Sequence, residues 1–219
     1  TPVELSRSPR SPSSIAVASS AIRCRTAGSS DRCWSRAVVR SHSSAWSKRT
    51  LPAIPVRYEE LTAPEFVQAV ARSGATCVIP LGILEKHGPH LPLGTDLIDC
   101  REVSLRAANE EYTIVFPPYF VGQIFEAKNQ PGTIAYGSRM MLDFLQQTCD
   151  EPARNGIRKI ILVNGHGGNG SLLRYFCQSQ LESRRDYAVY LFDPSYDAAT
   201  EARLAKLRKT KLDGHAGEE

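Results

Sequence analysis

Beyond about residue 50, the chain alternates between short apolar runs and longer stretches with a helical spacing of apolar positions. The short runs predict buried strands at 76–81, 113–116, 159–163 and 187–192. The longer stretches predict helices at 97–109, 138–155, 172–183 and 198–209. Such regular alternation is typical of βαβ units. We therefore predict an α/β fold with a mostly parallel sheet and helices on both faces.

Local residues mark where two of these helices begin and end. Thr95 and Asp96 stand where they can cap the start of the helix at 97–109. Gly156 follows the helix at 138–155 and is the residue type that most often ends a helix. These signals mark the start of the first helix and the end of the second.

The first 50 residues differ from the rest in composition and in hydrophobic pattern. They contain fourteen serines and nine basic residues against two acids, and no repeating apolar face. Such a segment buries too little surface to offset its ordering entropy, so we predict that residues 1–50 are a disordered basic tail. Its Arg/Ser-rich, acid-poor composition also resembles an organellar transit peptide, and a misassigned start is a further alternative.

Overall composition excludes several function classes. The net charge is +4, but residues 1–50 alone carry +7, so the remaining domain is acidic and no nucleic-acid partner is expected. No apolar run approaches the roughly 18 residues of a membrane span. The six cysteines form no CxxC pair, which favours free thiols in a reducing compartment. We therefore expect a cytoplasmic protein, unless the tail directs it to an organelle.

Histidines are concentrated in three polar, glycine-containing segments. Four of the five lie in 82–96, 164–169 and 213–218. The first two segments directly follow predicted strands. Since loops at the carboxyl ends of parallel strands line the ligand crevice of an open α/β sheet, we expect both segments to meet at one site.

The residue types in these loops suit zinc, manganese or iron, whose usual ligands are carboxylates and imidazoles. Glu85 and His87 are two positions apart, so their side chains emerge on the same side of an extended loop. Asp96 offers two oxygens and can bridge two ions. His166 stands between glycines, which let the backbone approach the site closely. A metal held there would activate a water and polarise a carbonyl.

Each of these residues also has an interpretation that needs no metal. A single loop histidine or glutamate is most often only solvated, Asp96 can be a helix cap, and residues 164–169 can be a flexible turn or an anion-binding nest. No Gly-x-Ser-x-Gly motif follows a strand, which disfavours a serine hydrolase. Cys100 and Cys177 lie in helical patterns, which disfavours a thiol nucleophile. The joint occurrence of the three segments favours a metal.

The segments resemble motifs of the creatininase family of metal-dependent amidohydrolases. The matches are Leu-Glu-Lys-His-Gly-Pro-His-Leu-Pro-Leu-Gly-Thr-Asp at 84–96, Pro-Gly-Thr-Ile at 131–134, Val-Asn-Gly-His-Gly-Gly-Asn at 163–169 and His-Ala-Gly-Glu at 215–218. They follow the family order. The resemblance implies a three-layer α/β/α sandwich, a homo-oligomer that is frequently a hexamer, and two divalent metal ions.

The resemblance also implies a ligand set. Glu85, Asp96 and His166 would hold one ion, and His87 with a bridging Asp96 would hold the other. Creatininases carry a second-site glutamate two residues after the histidine of the Asn-Gly-His motif, where this chain has Gly168. This departure argues against creatinine itself as the substrate.

The last segment supplies the remaining implied roles. Members with the Asn-Gly-His-Gly-Gly-Asn form carry the acidic ligand in the His-Ala-Gly-Glu segment, which points to Glu218. His215 resembles the family's proton-shuttling catalytic histidine. Because the family chain normally continues further, residues 51–219 are expected to be a C-terminally incomplete amidohydrolase domain.

The predicted function is hydrolysis of a carbon–nitrogen bond in a cyclic or linear small-molecule amide by a metal-activated hydroxide. Creatinine, a formamide, a lactam or a peptide remain open as substrates. The alternative is a non-catalytic metal-binding protein or a degenerate fragment of the same fold.

Overall fold

The computed structural model describes residues 54–195, 197–207 and 209 of the 219-residue chain. The disorder predicted for residues 1–50, and the roles predicted for His215 and Glu218, lie outside these residues. No helix in the described part combines the length and the apolar character needed to cross a bilayer.

Strands and helices alternate through the described residues, as predicted. The strands are β1 (Thr76–Leu81), β2 (Ile114–Val115), β3 (Lys159–Asn164) and β4 (Ala188–Phe192). The helices are α1 (Ala63–Arg72), α2 (Thr95–Glu110), α3 (Ser138–Arg154), α4 (Gly170–Ser179) and α5 (Ala198–Leu207). Short 3₁₀ turns lie at Tyr58–Glu60, Gly167–Asn169 and Gln180–Glu182.

The four strands form one parallel sheet in the order β2-β1-β3-β4. The central pair, β1 and β3, is joined along its whole length, from Thr76 opposite Lys159 to Leu81 opposite Asn164. The parallel sheet inferred from the alternation of elements is therefore confirmed.

Helices cover both faces of the sheet, which gives the predicted three layers. Consecutive strand residues point to opposite faces. In β2, Ile114 packs into the larger core with residues of α1, α3 and α4, whereas Val115 packs against Leu105 and Ala108 of α2. The larger core is also built from β1 and β3, through Cys77, Ile79, Leu81, Ile160 and Leu162.

Helix α1 was not predicted from the apolar pattern. Its sequence does carry an apolar face, since Ala69 is fully buried and Phe66 and Val70 pack against the core beside it. A capping signal was also present, because the Thr62 backbone N–H and hydroxyl both donate to Glu65 Oε2, at 2.9 and 2.6 Å. Pro64 stands in the first turn, where proline is favoured.

The predicted start of α2 is corrected by two residues. The helix begins at Thr95 with Gly94 as its N-cap, so Thr95 and Asp96 are not caps. The Thr95 hydroxyl donates instead to the Pro92 carbonyl, at 2.6 Å. Asp96 is thereby placed in the first helical turn, where a carboxylate is stabilised by the helix dipole. The predicted end of α3 is confirmed, since Gly156 follows the helix with a φ of +105°.

The described cysteines are free thiols, as predicted. Cys77, Cys100 and Cys149 are buried and Cys177 is partly exposed. Burial raises the pKa of Cys77 to about 12, so this thiol stays protonated and serves as core packing.

Candidate metal centre

The two histidine-bearing loops leave the sheet side by side, because β1 and β3 are neighbours that end in register. The residue after β3, Gly165, donates its N–H to the Leu81 carbonyl at 2.8 Å. A Cβ at Gly165 would lie 2.5 Å from the Cβ of Cys100 and 3.0 Å from the carbonyl oxygen of Asp96. Only glycine allows the second loop to approach α2 so closely, which confirms the convergence expected of the two loops.

The loop after β1 is held in place by the Pro131–Ile134 segment. Ile134 N–H donates to the Leu84 carbonyl at 3.0 Å, and Lys86 N–H donates to the Thr133 hydroxyl at 3.3 Å. Gly132 has a φ of +82°, and a Cβ there would lie 2.3 Å from Leu93. The family motif at 131–134 therefore acts as a brace for the loop that carries Glu85 and His87.

Four predicted ligands come together at this edge of the sheet. His87 Nε2 lies 2.9 Å from Asp96 Oδ1, and His166 Nδ1 lies 2.9 Å from both Glu85 Oε1 and Asp96 Oδ2. Glu85, His87 and Asp96 each bring one ligand atom within 4.8 Å of the other two. Glu85 is only 1% exposed, which is rare for a carboxylate unless it is paired or ligates a metal.

Each of the two histidines also contacts a backbone carbonyl through its other ring nitrogen. His87 Nδ1 lies 3.2 Å from the Glu85 carbonyl oxygen, and His166 Nε2 lies 2.9 Å from that of Gln123. Since a carbonyl oxygen only accepts hydrogen bonds, these nitrogens carry the proton. In the neutral rings the opposite nitrogens, which face the carboxylates, then present lone pairs. Two carboxylates and two such lone pairs form a donor set that fits a divalent cation.

The carboxylates shift the titration of the groups between them. Burial alone would lower the pKa of His166, but contact with Asp96 and Glu85 outweighs it and raises this pKa to about 9. Burial would likewise raise the pKa of Asp96, yet His166 and His87 hold it below its ordinary value. The site thus concentrates negative charge beside the imidazoles, which is what a cation would compensate.

A cavity of about 470 Å³ opens beside this group. It is lined by Glu85, Lys86, Ile124, Glu126, Ala127, Gln130, His166 and Gly168. The Glu126 carboxylate accepts hydrogen bonds from Gln123 Nε2 at 3.0 Å to each oxygen. The cavity therefore gives a small molecule access to Glu85 and His166 past the hydrogen-bonded carboxylate of Glu126.

Sequence reasoning did not find two groups that complete this arrangement. The carbonyl of Gln123 has no side-chain signature, because every residue carries one. Asn169 is fully buried and lies at the end of the motif at 163–169, in which His166 carries the clearer chemical signal. Gly168 takes the position where creatininases have a glutamate, and it lines the cavity wall.

Comparison with protein-family models matches residues 59–219 to the family described as "Creatininase: Creatinine amidohydrolase". The chain belongs to the creatininase family. The match extends over all four motifs that carried the resemblance in the sequence.

Curated relatives match part of this chain. The creatinine amidohydrolase of Pseudomonas putida is 29% identical over 119 residues, which are 52% of this chain and 46% of that protein. A mycofactocin precursor peptide peptidase of Mycolicibacterium smegmatis is 35% identical over 98 residues, 42% of this chain and 39% of that protein. The chain therefore spans less than half the length of these two relatives.

Solved creatininase structures share the fold. A mutant creatininase of "Zn-Zn type" superimposes with a TM-score of 0.59 at 23% identity, covering 74% of this chain and 67% of the other. A structure described as "Creatininase Mn" superimposes with a TM-score of 0.57 at 22% identity, covering 74% and 67%. The creatininase α/β fold predicted from the sequence is thereby confirmed.

Proposed function

We propose that this chain is a divalent-metal-dependent hydrolase that cleaves a carbon–nitrogen bond of a cyclic or linear amide. The observation that carries the proposal is the direction of the two imidazoles. Both rings are held by backbone carbonyls so that their second nitrogens face the carboxylates of Glu85 and Asp96. Membership of the creatininase family, whose model is described as creatinine amidohydrolase, supports the reaction class.

The proposed ligands divide between two ions. Glu85, Asp96 and His166 would hold one ion, and His87 would share Asp96 with the other. Asp96 suits a bridging role because its two oxygens face different histidines, Oδ1 towards His87 and Oδ2 towards His166, each at 2.9 Å. Zinc, manganese and iron all accept such ligands. Divalent ions in such sites supply an activated water near neutral pH and polarisation of the substrate carbonyl.

Two further roles fall on residues near the end of the sequence. We assign Glu218 to the second ion, because Gly168 offers no carboxylate where creatininases have one. We assign His215 to protonation of the leaving nitrogen, as its motif implies. Both assignments rest on the family motif alone.

The residues around the cavity set the class of substrate. Lys86 and Glu126 bring opposite charges to the cavity wall, while Ile124 and Ala127 supply apolar surface. A small polar amide, or the scissile region of a short peptide, matches this mixture. The two curated relatives, named for creatinine and for a precursor peptide, bracket the same range.

Family resemblance also motivates a homo-oligomer, with a hexamer as the expected state. Several large apolar side chains are exposed on the described chain, which is compatible with burial between copies: Leu91, Leu93, Phe125, Ile134, Met140 and Phe144. Light scattering of the purified full chain would report the assembly mass, and a monomer would contradict this part of the proposal.

The proposed function is tested by metal analysis followed by an amide screen. The full chain, purified without chelator, should contain at least one divalent ion per chain. It should then hydrolyse a cyclic amide, a formamide or a short peptide in the presence of added manganese or zinc. A folded chain without bound metal would overturn the proposal. Metal binding without turnover of any amide would favour the rival interpretation, a non-catalytic metal-binding protein.

A further inference from the structure

The orientation of His166 depends on a carbonyl from a segment that is neither helix nor strand. Gln123 lies in the long connection between β2 and α3, and its carbonyl oxygen accepts the His166 Nε2 proton at 2.9 Å. A carbonyl in an irregular segment holds a ring only if the backbone next to it is held. Since nothing in the local secondary structure does so, the restraint must come from another part of the chain.

Asn169 supplies that restraint. Its side-chain oxygen accepts the Gln123 N–H at 2.9 Å, and the residue is 0% exposed. Asn169 stands only three positions after His166, at the end of the 3₁₀ turn Gly167–Asn169. The turn that carries the histidine therefore also fixes the backbone that orients it.

Two glycines leave this arrangement without spare room. A Cβ at Gly122 would lie 2.4 Å from Asn169 Oδ1. A Cβ at Gly168 would lie 2.5 Å from His166 Nε2 and 2.9 Å from the Gln123 carbonyl oxygen. Real Cβ atoms do not approach so closely, so any side chain at 168 would push the ring and the carbonyl apart.

We propose that Asn169 is a positioning residue of the metal centre, which acts on His166 through the backbone of Gln123. The proposal rests on the proposed metal site. By fixing the backbone of Gln123, Asn169 keeps a proton on Nε2 and directs Nδ1 towards Glu85 and Asp96, where an ion would bind. Outer groups of this kind fix the tautomer and orientation of ligating histidines.

The need for such a device follows from the charges around His166. The carboxylates of Glu85 and Asp96 lie 2.9 Å from Nδ1 and attract a proton to that nitrogen. A proton on Nδ1 would occupy the position that an ion needs. The Gln123 carbonyl favours the opposite tautomer, and the uncharged amide of Asn169 holds it without adding a further negative charge to the buried group.

The inference is tested by comparing two substitutions at the same position in the full-length chain. Asn169→Leu keeps much of the side-chain volume and removes the acceptor, and we expect zinc affinity to fall roughly 10–100-fold. Asn169→Asp keeps an acceptor for the Gln123 N–H, and Nδ2 of Asn169 has no hydrogen-bond partner among the described residues. This variant should therefore bind zinc much more tightly than Asn169→Leu.

A control variant and an NMR signal distinguish a positioning role of Asn169 from a purely structural one. Thr148→Val removes another buried side-chain hydrogen bond, from the Thr148 hydroxyl to the Phe144 carbonyl, outside the metal centre. It should lower thermal stability without changing zinc affinity. In zinc-loaded protein labelled with ¹⁵N-histidine, the Nε2–H signal of His166 should be retained in Thr148→Val and lost or broadened in Asn169→Leu.

A second variant guards against misfolding of the first. Gly168→Ala leaves Asn169 unchanged but places a Cβ between the Gln123 carbonyl and the His166 ring. It should therefore separate the two groups and weaken zinc binding. If Asn169→Leu and Gly168→Ala both bind zinc as tightly as the unchanged chain, the inference is wrong. If the unchanged chain itself binds no zinc, the proposed function fails first, and the two outcomes are thus distinct.

Discussion

Leu81 and Asn164 are paired opposite each other at the last position of the two central strands. Because these strands are parallel, the loops that follow them start from neighbouring points and run in the same direction. Glu85 and His87 belong to the first loop and His166 to the second. The register of one strand pair therefore decides that the proposed ligands of two distant motifs face each other.

Asp96 should be the most sensitive ligand to substitution. Asp96→Asn keeps the shape of the side chain but removes the charge and one acceptor oxygen, at the residue that contacts both histidines. We expect zinc content to fall to background and amide turnover to be abolished, measured by elemental analysis and by the substrate assay. Asp99→Asn is the matched control, since Asp99 is exposed on the same helix. Retained zinc and turnover in Asp96→Asn would place the chemistry elsewhere.

Gly132→Ala should destabilise the fold and loosen the loop that carries Glu85. Gly132 has a φ of +82°, which disfavours any other residue type, and a Cβ at this position would lie 2.3 Å from Leu93 Cδ1. The backbone conformation alone costs about 1–2 kcal/mol. Gly137→Ala is the control, because nothing lies within 4 Å of a Cβ there. Urea unfolding should show a clear loss for Gly132→Ala and little change for Gly137→Ala; equal losses would contradict the brace.

Removal of the helix cap at Thr62 should have a pH-dependent effect. Thr62→Ala is expected to lower the free energy of unfolding by about 1 kcal/mol near neutral pH. Glu65 accepts hydrogen bonds from Thr62, which hold the pKa of this carboxyl below its ordinary value of 4.5. Because the pKa of Glu65 is lower in the folded state than in the unfolded state, its ionised carboxylate stabilises the fold at pH values above the unfolded-state pKa. This stabilisation is lost as the pH falls through the folded-state pKa. Urea unfolding of the unchanged chain and of Thr62→Ala should therefore show the difference in unfolding free energy shrinking below about pH 4.5. A difference that stays constant with pH would contradict the Thr62–Glu65 capping interaction.

The prediction for residues 1–50 is best tested by limited proteolysis. We propose that this basic segment is disordered and dispensable, and that residues 51–219 form the domain. Brief trypsin treatment should remove it quickly at its many arginines and leave a stable core that begins near Leu51. Protection of Arg23 to Arg40, at a protease level that cuts loops of the core, would show that the segment is structured.

The fold and four site residues were accessible from the sequence for a common reason. Strand-forming runs carry an apolar signal, and the loops that follow them carry unusual residue types, so Glu85, His87, Asp96 and His166 stood out. Asn169 did not, because its role is to hold a backbone N–H, and its partner on Gln123 is a group that every residue has. Helix α1 could have been predicted, because Phe66, Ala69 and Val70 form an apolar face and Thr62 and Glu65 mark its start.

The adjacency of β1 and β3 also has a kinetic consequence. Glu85 and His166 lie some 80 positions apart, and α2, β2 and α3 lie between them in the sequence, so the pairing of β1 with β3 closes a long loop. Contacts so distant along the chain form late during folding. A metal ion therefore has no preassembled ligand set to nucleate early steps. We expect it to be captured by a nearly complete sheet, so that excess zinc slows unfolding far more than it accelerates refolding.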